Sequence, residues 1–246
     1  MILLVDRRNA GRAFALSALI FAVSLGISAA SDEGDIAWLT RLTRALPLAP
    51  LCAAAAVWLT LASARAKMEA LALEASGRSP SWNAAGPVVG GAVFALAAAV
   101  LLLGWQRLDV AAIFPSFASA PRIEWNGSTF VDSAHGIAID ENGVTSPRDK
   151  EASHAAAPSE KRERIAASVA LGLAGIAFAL LAAVFSRRVS SRGALAVLGI
   201  GLATILAFDA AASGRAQPAI VIVPPLGLFI YAAIEYLRSA WLLPSK

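Results

Sequence analysis

Gly86-Pro87-Val88-Val89-Gly90-Gly91-Ala92-Val93-Phe94-Ala95-Leu96-Ala97-Ala98-Ala99-Val100-Leu101-Leu102-Leu103-Gly104-Trp105 is a run of twenty residues without a charge. About 20 mostly apolar residues in a helix cross the hydrocarbon of a bilayer. Five more stretches pass the same test: Ala13–Ala30, Leu46–Ala64, Ile165–Phe185, Ala194–Ala212 and Ala219–Tyr236. Between the third and fourth spans lies a polar stretch of 59 residues, Gln106–Arg164. The expected fold is therefore an all-α polytopic membrane protein. Six transmembrane helices in a 3+3 order, 1–105 and 165–246, flank an insert at 106–164.

Composition agrees. Of the 246 residues, 58% are hydrophobic and 15% charged, against about 45–50% and 25% in soluble domains. Mean hydropathy is +0.66. A soluble core of this length could not hide so much apolar surface, so a soluble enzyme is excluded. Disorder is excluded too, since it needs low hydrophobicity. The pI of about 9.7 does not point to nucleic acid, because the basic residues form no dense patch. They read as basic membrane loops. The single cysteine, Cys52, gives no intrachain disulfide, and His135 and His154 lack metal-ligand spacing. No phosphate-binding G-x-x-x-x-G-K-[ST] and no G-x-S-x-G occurs. The chain is expected not to be an enzyme and to hold no cofactor or metal.

Lys and Arg set the orientation. With the N-terminus in the cytoplasm, eleven lie inside: Arg7, Arg8, Arg12, Arg65, Lys67, Arg78, Arg187, Arg188, Arg192, Arg238 and Lys246. The short outer loops hold three, Arg41, Arg44 and Arg215. The insert adds four near span ends, Arg107, Lys161, Arg162 and Arg164. Eleven against seven places both termini in the cytoplasm and the insert outside. Arg7, Arg8 and Arg12, the apolar run and Ile27-Ser28-Ala29-Ala30 also fit a cleaved signal peptide. Cleavage would leave five spans.

The insert reads as β in its middle. Ile123-Glu124-Trp125, Asn126-Gly127 and Ser128-Thr129-Phe130-Val131 give a hairpin with a type I′ turn. Gly136–Asp140 and Glu141–Val144 give a second. Trp125, Phe130, Val131, Ile137 and Ile139 are the expected apolar face of a small β-rich extracytoplasmic insert. Ser146–Arg164, rich in Ala, Ser, Pro and charge, reads as a linker. Asn126-Gly127-Ser128 matches a glycosylation sequon, but the turn explains it better.

The loop between spans two and three carries a short amphipathic helix at 64–78. Met68, Leu71, Ala72 and Ala75 fall at i, i+3, i+4 and i+7. Arg65/Glu69 and Glu74/Arg78 are i,i+4 pairs. Gly77 suits a C-terminal cap, and Pro80 stops continuation. Such a helix either lies on the lipid headgroups or docks a cytoplasmic partner.

Ala45-Leu46-Pro47-Leu48-Ala49-Pro50, then Met68-Glu69-Ala70-Leu71-Ala72-Leu73-Glu74-Ala75-Ser76-Gly77-Arg78-Ser79, resembles the LptF/LptG (YjgP/YjgQ) permease family of lipopolysaccharide export. The matching positions of the family's coupling helix are Glu69, Ala70, Ala72, Leu73, Ala75, Gly77 and Ser79. The 3+3 order, Arg164-Ile165-Ala166-Ala167 at span four, Arg187-Arg188 after it, and Pro218…Pro224-Pro225 are also similar. The resemblance implies a permease subunit of an ABC-type lipid exporter in the bacterial inner membrane. Its partners would be a cytoplasmic ABC ATPase dimer, a second permease subunit, the same or homologous, and membrane lipid. Met68, Glu69, Leu71, Ala72, Leu73 and Gly77 would form the ATPase-coupling site, with Glu69 facing a basic ATPase residue. A solvated Glu69 paired with Arg65 is the plainer reading. The family's insert is a full jellyroll, which has eight strands; this one has room for about four.

Three residues are candidates for a lipid path. Arg41 and Arg44 lie near the outer end of span two and serve either lipid phosphates or interfacial anchoring. Asp209, near the outer end of span five, is a candidate because an acid in a span is costly; Arg215 is its plausible partner. Glu235 beside Arg238 reads as an interface residue. Gly86/Gly90, Gly175/Ala179 and Gly199/Ala203 permit close helix packing but arise easily in an alanine-rich chain. The tryptophans fall mostly at span ends, with Trp58 in mid-span and Trp125 in the insert as exceptions. The alternative function is a non-transporting membrane scaffold or assembly factor that binds a periplasmic protein through the insert. An ion-coupled carrier would place charged or unwound elements at mid-membrane, and none is evident.

Overall fold

The computed structural model describes residues 2–31, 37–77, 79–108, 110, 113, 123–125, 130–132, 137–139, 145–147, 158–186, 191–213 and 215–241. The helices are α1 (Ile2–Ser31), α2 (Trp38–Ala45), α3 (Ala49–Ala62), α4 (Ala64–Ala75), α5 (Pro80–Gly104), α6 (Pro158–Phe185), α7 (Ser191–Ala212) and α8 (Val223–Trp241). Short 3₁₀ turns, Leu46–Leu48 and Pro218–Ile222, lead into α3 and α8. Prolines sit in the first turns of α3 and α5 and of both 3₁₀ segments. There a missing N–H costs nothing and the fixed φ is already helical.

Six stretches are long and apolar enough to cross a membrane: Leu4–Ala30, Trp38–Ala62, Trp82–Gly104, Lys161–Phe185, Leu195–Ala212 and Pro218–Ser239. The chain has the helices of a multi-pass membrane protein. Several begin earlier than hydropathy implies. Span two starts at Trp38, because α2 carries Arg41 and Arg44 on a helix whose Leu39 and Leu42 pack on the core. Trp58 consequently lies one turn from the end of that span, not in its middle. Helix α6 starts at Pro158, inside the stretch read as a linker. Its charged residues Glu160–Arg164 have good helix propensity, which a search for apolar runs does not register.

Helices α5 and α6 pack together at the centre, α1 and α3 lie against them, and α8 packs on α6. Small residues permit the closest approaches. A Cβ on Gly86 would stand 2.6 Å from the Asp6 carbonyl oxygen, and one on Gly90 would overlap the Ala10 carbonyl. Gly175 meets Ala95 in the same way between α6 and α5. Gly199 meets nothing within 4 Å, so the Gly199/Ala203 pair takes no part in packing within the chain. Helix α7 leans on α8 and the 218–222 turn, with only 6% of its apolar window buried.

Arg164, one turn and a half into α6, is buried at 7% exposure. Its guanidinium donates to the carbonyls of Leu102 (3.1 Å), Trp105 (2.9 Å), Gln106 (3.4 Å) and Leu108 (2.9 Å). The end of a helix leaves carbonyls without intrahelical donors. One side chain of α6 thus caps the end of α5.

The chain is helical in class. Among the described residues, strand is confined to four three-residue segments, β1 (Ile123–Trp125), β2 (Phe130–Asp132), β3 (Ile137–Ile139) and β4 (Thr145–Pro147), paired antiparallel in chain order. The register departs from the two-residue hairpin. Trp125 pairs with Phe130, so the connection is longer than Asn126-Gly127. Val131 pairs with Glu124 and Ala138 and falls out of the row formed by Trp125, Phe130 and Ile139. β4 occupies the start of the expected linker rather than Glu141–Val144. The turn residues and the sequon's Asn126 lie outside the described residues.

Candidate functional site

Helix α4 stands between α3 and α5 at one end of the bundle. It ends at Gly77, whose φ of +87° is the left-handed conformation that glycine adopts without strain. Gly77 N–H donates to the Glu74 carbonyl at 2.9 Å, and Ser76 N–H to Ala72 and Leu73, each at 3.2 Å. These bonds use carbonyls that the helix end would leave unpaired.

The candidate residues of α4 divide into two faces. Met68 and Leu71 are 71% and 61% exposed, and Ala72 and Ala75 are exposed beside them. The apolar row at i, i+3, i+4 and i+7 therefore faces away from the bundle. Glu69 and Leu73 are half-buried and face the other way. A small polar pocket of about 30 Å³ is lined by Glu69 and Leu73 together with Asn9, Thr60, Asn83 and Pro87.

Glu69 is not a freely solvated carboxylate. Arg8 of α1 donates through Nη2 to Glu69 Oε1. Glu69 Oε2 is buried and accepts no hydrogen bond among the described residues. Asn9, next to Arg8, is itself buried at 9% exposure, and its Oδ1 is likewise unpartnered. On α5, Asn83 Nδ2 donates to Glu74 Oε1 at 3.5 Å. The expected Arg65–Glu69 and Glu74–Arg78 pairs involve side chains outside the described residues. In the sequence Arg8 counts only as one of the orienting N-terminal cations, and Asn9 carries no signal. Nothing in the sequence joins Arg8 to Glu69, since 61 positions separate them.

The other candidates lie away from α4. Arg41 is half-buried and Arg44 exposed on α2; Asp209 is half-buried near the end of α7. No ion pair joins Asp209 to Arg215 among the described residues. Glu235 accepts from Arg238 at 3.3 Å, as adjacent interface residues would.

Near Arg44 and Asp209 opens an apolar cavity of about 640 Å³, a usual volume for a small-molecule site. Leu46, Pro47, Pro50 and Leu51 form one wall, Leu171 and Phe178 of α6 the floor, and Ile200, Gly201, Ile205 and Phe208 of α7 the far wall. Thr204 is the sole uncharged polar side chain among its lining residues, and none of them is charged. It exists because α7 stands off from α3 and α6. Arg44 precedes the wall residue Leu46 by two positions, and Asp209 follows Phe208. Leu51 and the start of α4 are separated by roughly 20 Å along α3 at 1.5 Å per residue. The apolar groove thus has one end at Leu46 and Phe208, remote from the α4 site, and runs from there along α7 to Val197. Comparison with known proteins finds no family model and no curated protein that matches this chain.

Proposed function

We propose that this chain is a permease subunit of an ABC-type exporter of lipid, of the LptF/LptG kind. The observation that carries the reading is α4. It is a capped helix between two spans that turns Met68 and Leu71 outward and Glu69 inward. A helix held to the bundle by one face and bare on the other can pass a partner's movement to the spans. The partner is a cytoplasmic ABC ATPase dimer, which would supply the energy that no motif of this chain supplies. A second permease subunit, the same or homologous, would complete the pair. In this reading the chain sits in the bacterial inner membrane with both termini cytoplasmic. The paired strands of 123–147 form a small β-rich insert on the outer side. The substrate is a lipid of the lipopolysaccharide class, and the groove receives an acyl chain at the end remote from α4.

Docking predicts that Met68→Asp and Leu71→Asp each lower the ATPase recovered with the affinity-purified chain, with membrane insertion unchanged. An exposed contact residue at the centre of an interface is worth about 2 kcal/mol, roughly thirtyfold in affinity. Wild-type protein that recovers no ATPase in mild detergent overturns the exporter and leaves the scaffold reading. The groove predicts a separate result. Gly201 has open space beside it, so Gly201→Trp fills the groove without disturbing the fold. Lipid crosslinked from a photoactivatable residue at Ile205 is expected to fall severalfold. Unchanged crosslinking would remove the groove from the lipid path.

A further inference from the structure

We propose that Arg8 is the positioning residue that latches α4 to α1, so that a displacement of α4 is delivered to the first span. The inference rests on the reading of α4 as the element that a partner moves. Three observations at one level of the bundle carry it.

First, the grip of α4 on the bundle is narrow. Among its described side chains only Glu69 and Leu73 are half-buried; Met68, Leu71, Ala72, Glu74 and Ala75 are exposed. Among the described side chains, Glu69 is therefore one of three by which α4 holds its neighbours, with Leu73 and with Glu74, which accepts from Asn83 of α5. Second, the carboxylate is committed inward. Oε1 accepts from Arg8, and Oε2 lies buried beside the pocket that also takes Asn9. A partner's cation would have to displace Arg8 to reach it. Third, α1 at this level is fixed to α5. Gly86 and Gly90 bring α5 onto the backbone at Asp6 and Ala10, one residue pair on each side of Arg8. That contact is backbone against backbone, with no room for a Cβ between the helices.

The joint is thus asymmetric. The α1–α5 contact is close backbone packing, whereas among the described residues α1 and α4 are joined by one charge-assisted hydrogen bond, directional and breakable. Arg8 is 44% and Glu69 28% exposed at the side chain. Such a pair adds little to overall stability, but it decides whether α1 follows α4. Beyond the joint, α1 is lightly covered, with 17% of its apolar window buried. A tug at Arg8 would meet little resistance there.

The test places spin labels at Ala15 on α1 and at Ser76 in the turn that closes α4, both exposed, in a Cys52→Ala background. The chain is reconstituted alone in nanodiscs of phosphatidylethanolamine and phosphatidylglycerol. Double electron–electron resonance should give one narrow distance. Arg8→Gln and Glu69→Gln should each broaden it, while Arg8→Lys and the swap Arg8→Glu with Glu69→Arg should narrow it again. Unchanged distances in both single variants would overturn the latch. So would broadening that neither Arg8→Lys nor the swap reverses, because the loss would then be structural and not specific to the pair.

The same labels are then read in protein purified with its ATPase and trapped with ATP and vanadate. The wild type should show a shifted distance. Arg8→Gln should lose the shift with the amount of bound ATPase unchanged. Loss of the ATPase itself in Arg8→Gln would overturn the proposal, because Arg8 would then act in docking. Wild-type protein that retains no ATPase, yet shows the narrow pair-dependent distance alone, keeps the latch and removes the exporter reading.

Discussion

Arg164→Met is expected to leave the protein largely unfolded or aggregated after extraction, the largest effect of any single replacement considered. The guanidinium is 7% exposed and holds four carbonyls from Leu102 to Leu108. Methionine keeps an unbranched apolar stem but is shorter and donates nothing. The end of α5 would then keep buried carbonyls without donors, each costing about 1–3 kcal/mol. Two such carbonyls, at Leu102 and Leu108, lie in buried residues, which sets the loss at about 2–6 kcal/mol. That is a large part of the 5–15 kcal/mol that holds a typical domain together. The positive charge is also well placed, because a helix C-terminus carries partial negative charge. Arg164→Lys is the control. Lysine keeps the charge but offers three donors from one atom in place of a planar fork of five. It should recover part of the loss, and the recovery should follow hydrogen-bond count. The measurement is the monodisperse fraction on gel filtration and the thermal midpoint in detergent. A Met variant as stable as the wild type would show that water or lipid satisfies those carbonyls.

Arg164 also shows what the sequence could and could not reveal. Hydropathy located all six membrane-length helices, because a span is a local property of about 20 residues. The ends were less legible. Glu160–Arg164 and Arg41–Arg44 are charged helical turns, and a test for apolarity stops short of both. The identity of Arg164 was plain, but its role was not. Its four acceptors lie 56 to 62 positions earlier and meet it only after α5 and α6 have packed. Glu69 is similar. Helical periodicity put it on one helix with Met68 and Leu71, and the two faces do separate as that spacing requires. The direction was missed: the apolar face turns outward and the carboxylate inward, because Arg8 and Asn9 of α1 offer a polar surface at that level. The positions of β1 to β3 were legible from Asn-Gly and alternation, whereas β4 lies at Thr145–Pro147, at the start of the expected linker. The register was not legible, because three-residue strands contain too few side chains to fix it. The groove was invisible, since it arises from where α7 does not pack.

Gly90→Val is expected to produce the second-largest loss, and to do so by separating α1 from α5. Gly90 faces the Ala10 carbonyl so closely that even the Cβ of alanine would overlap it, with the Ala10 carbonyl carbon 2.9 Å and Cα 3.0 Å away. The obstacle is main chain, so no side-chain rotation relieves it. Overpacking of this kind costs about 1–3 kcal/mol and more where the backbone must move. Valine adds two methyl groups to the same contact, so the ranking should be wild type, Ala, Val. The aromatic contacts farther along the interface give an independent reading. Phe14 and Phe21 both meet Phe94 edge-on at a centroid separation of 5.9 Å. A wedge at Gly90 should open them as well. Gly199→Val is the matched control, because that glycine has nothing within 4 Å and its replacement should leave the thermal midpoint of the purified chain nearly unchanged. If Gly90→Val and Gly199→Val melt alike, the helices are not in contact at Ala10. The latch at Arg8 would then end at α1, because that contact is what carries a pull on α1 into α5.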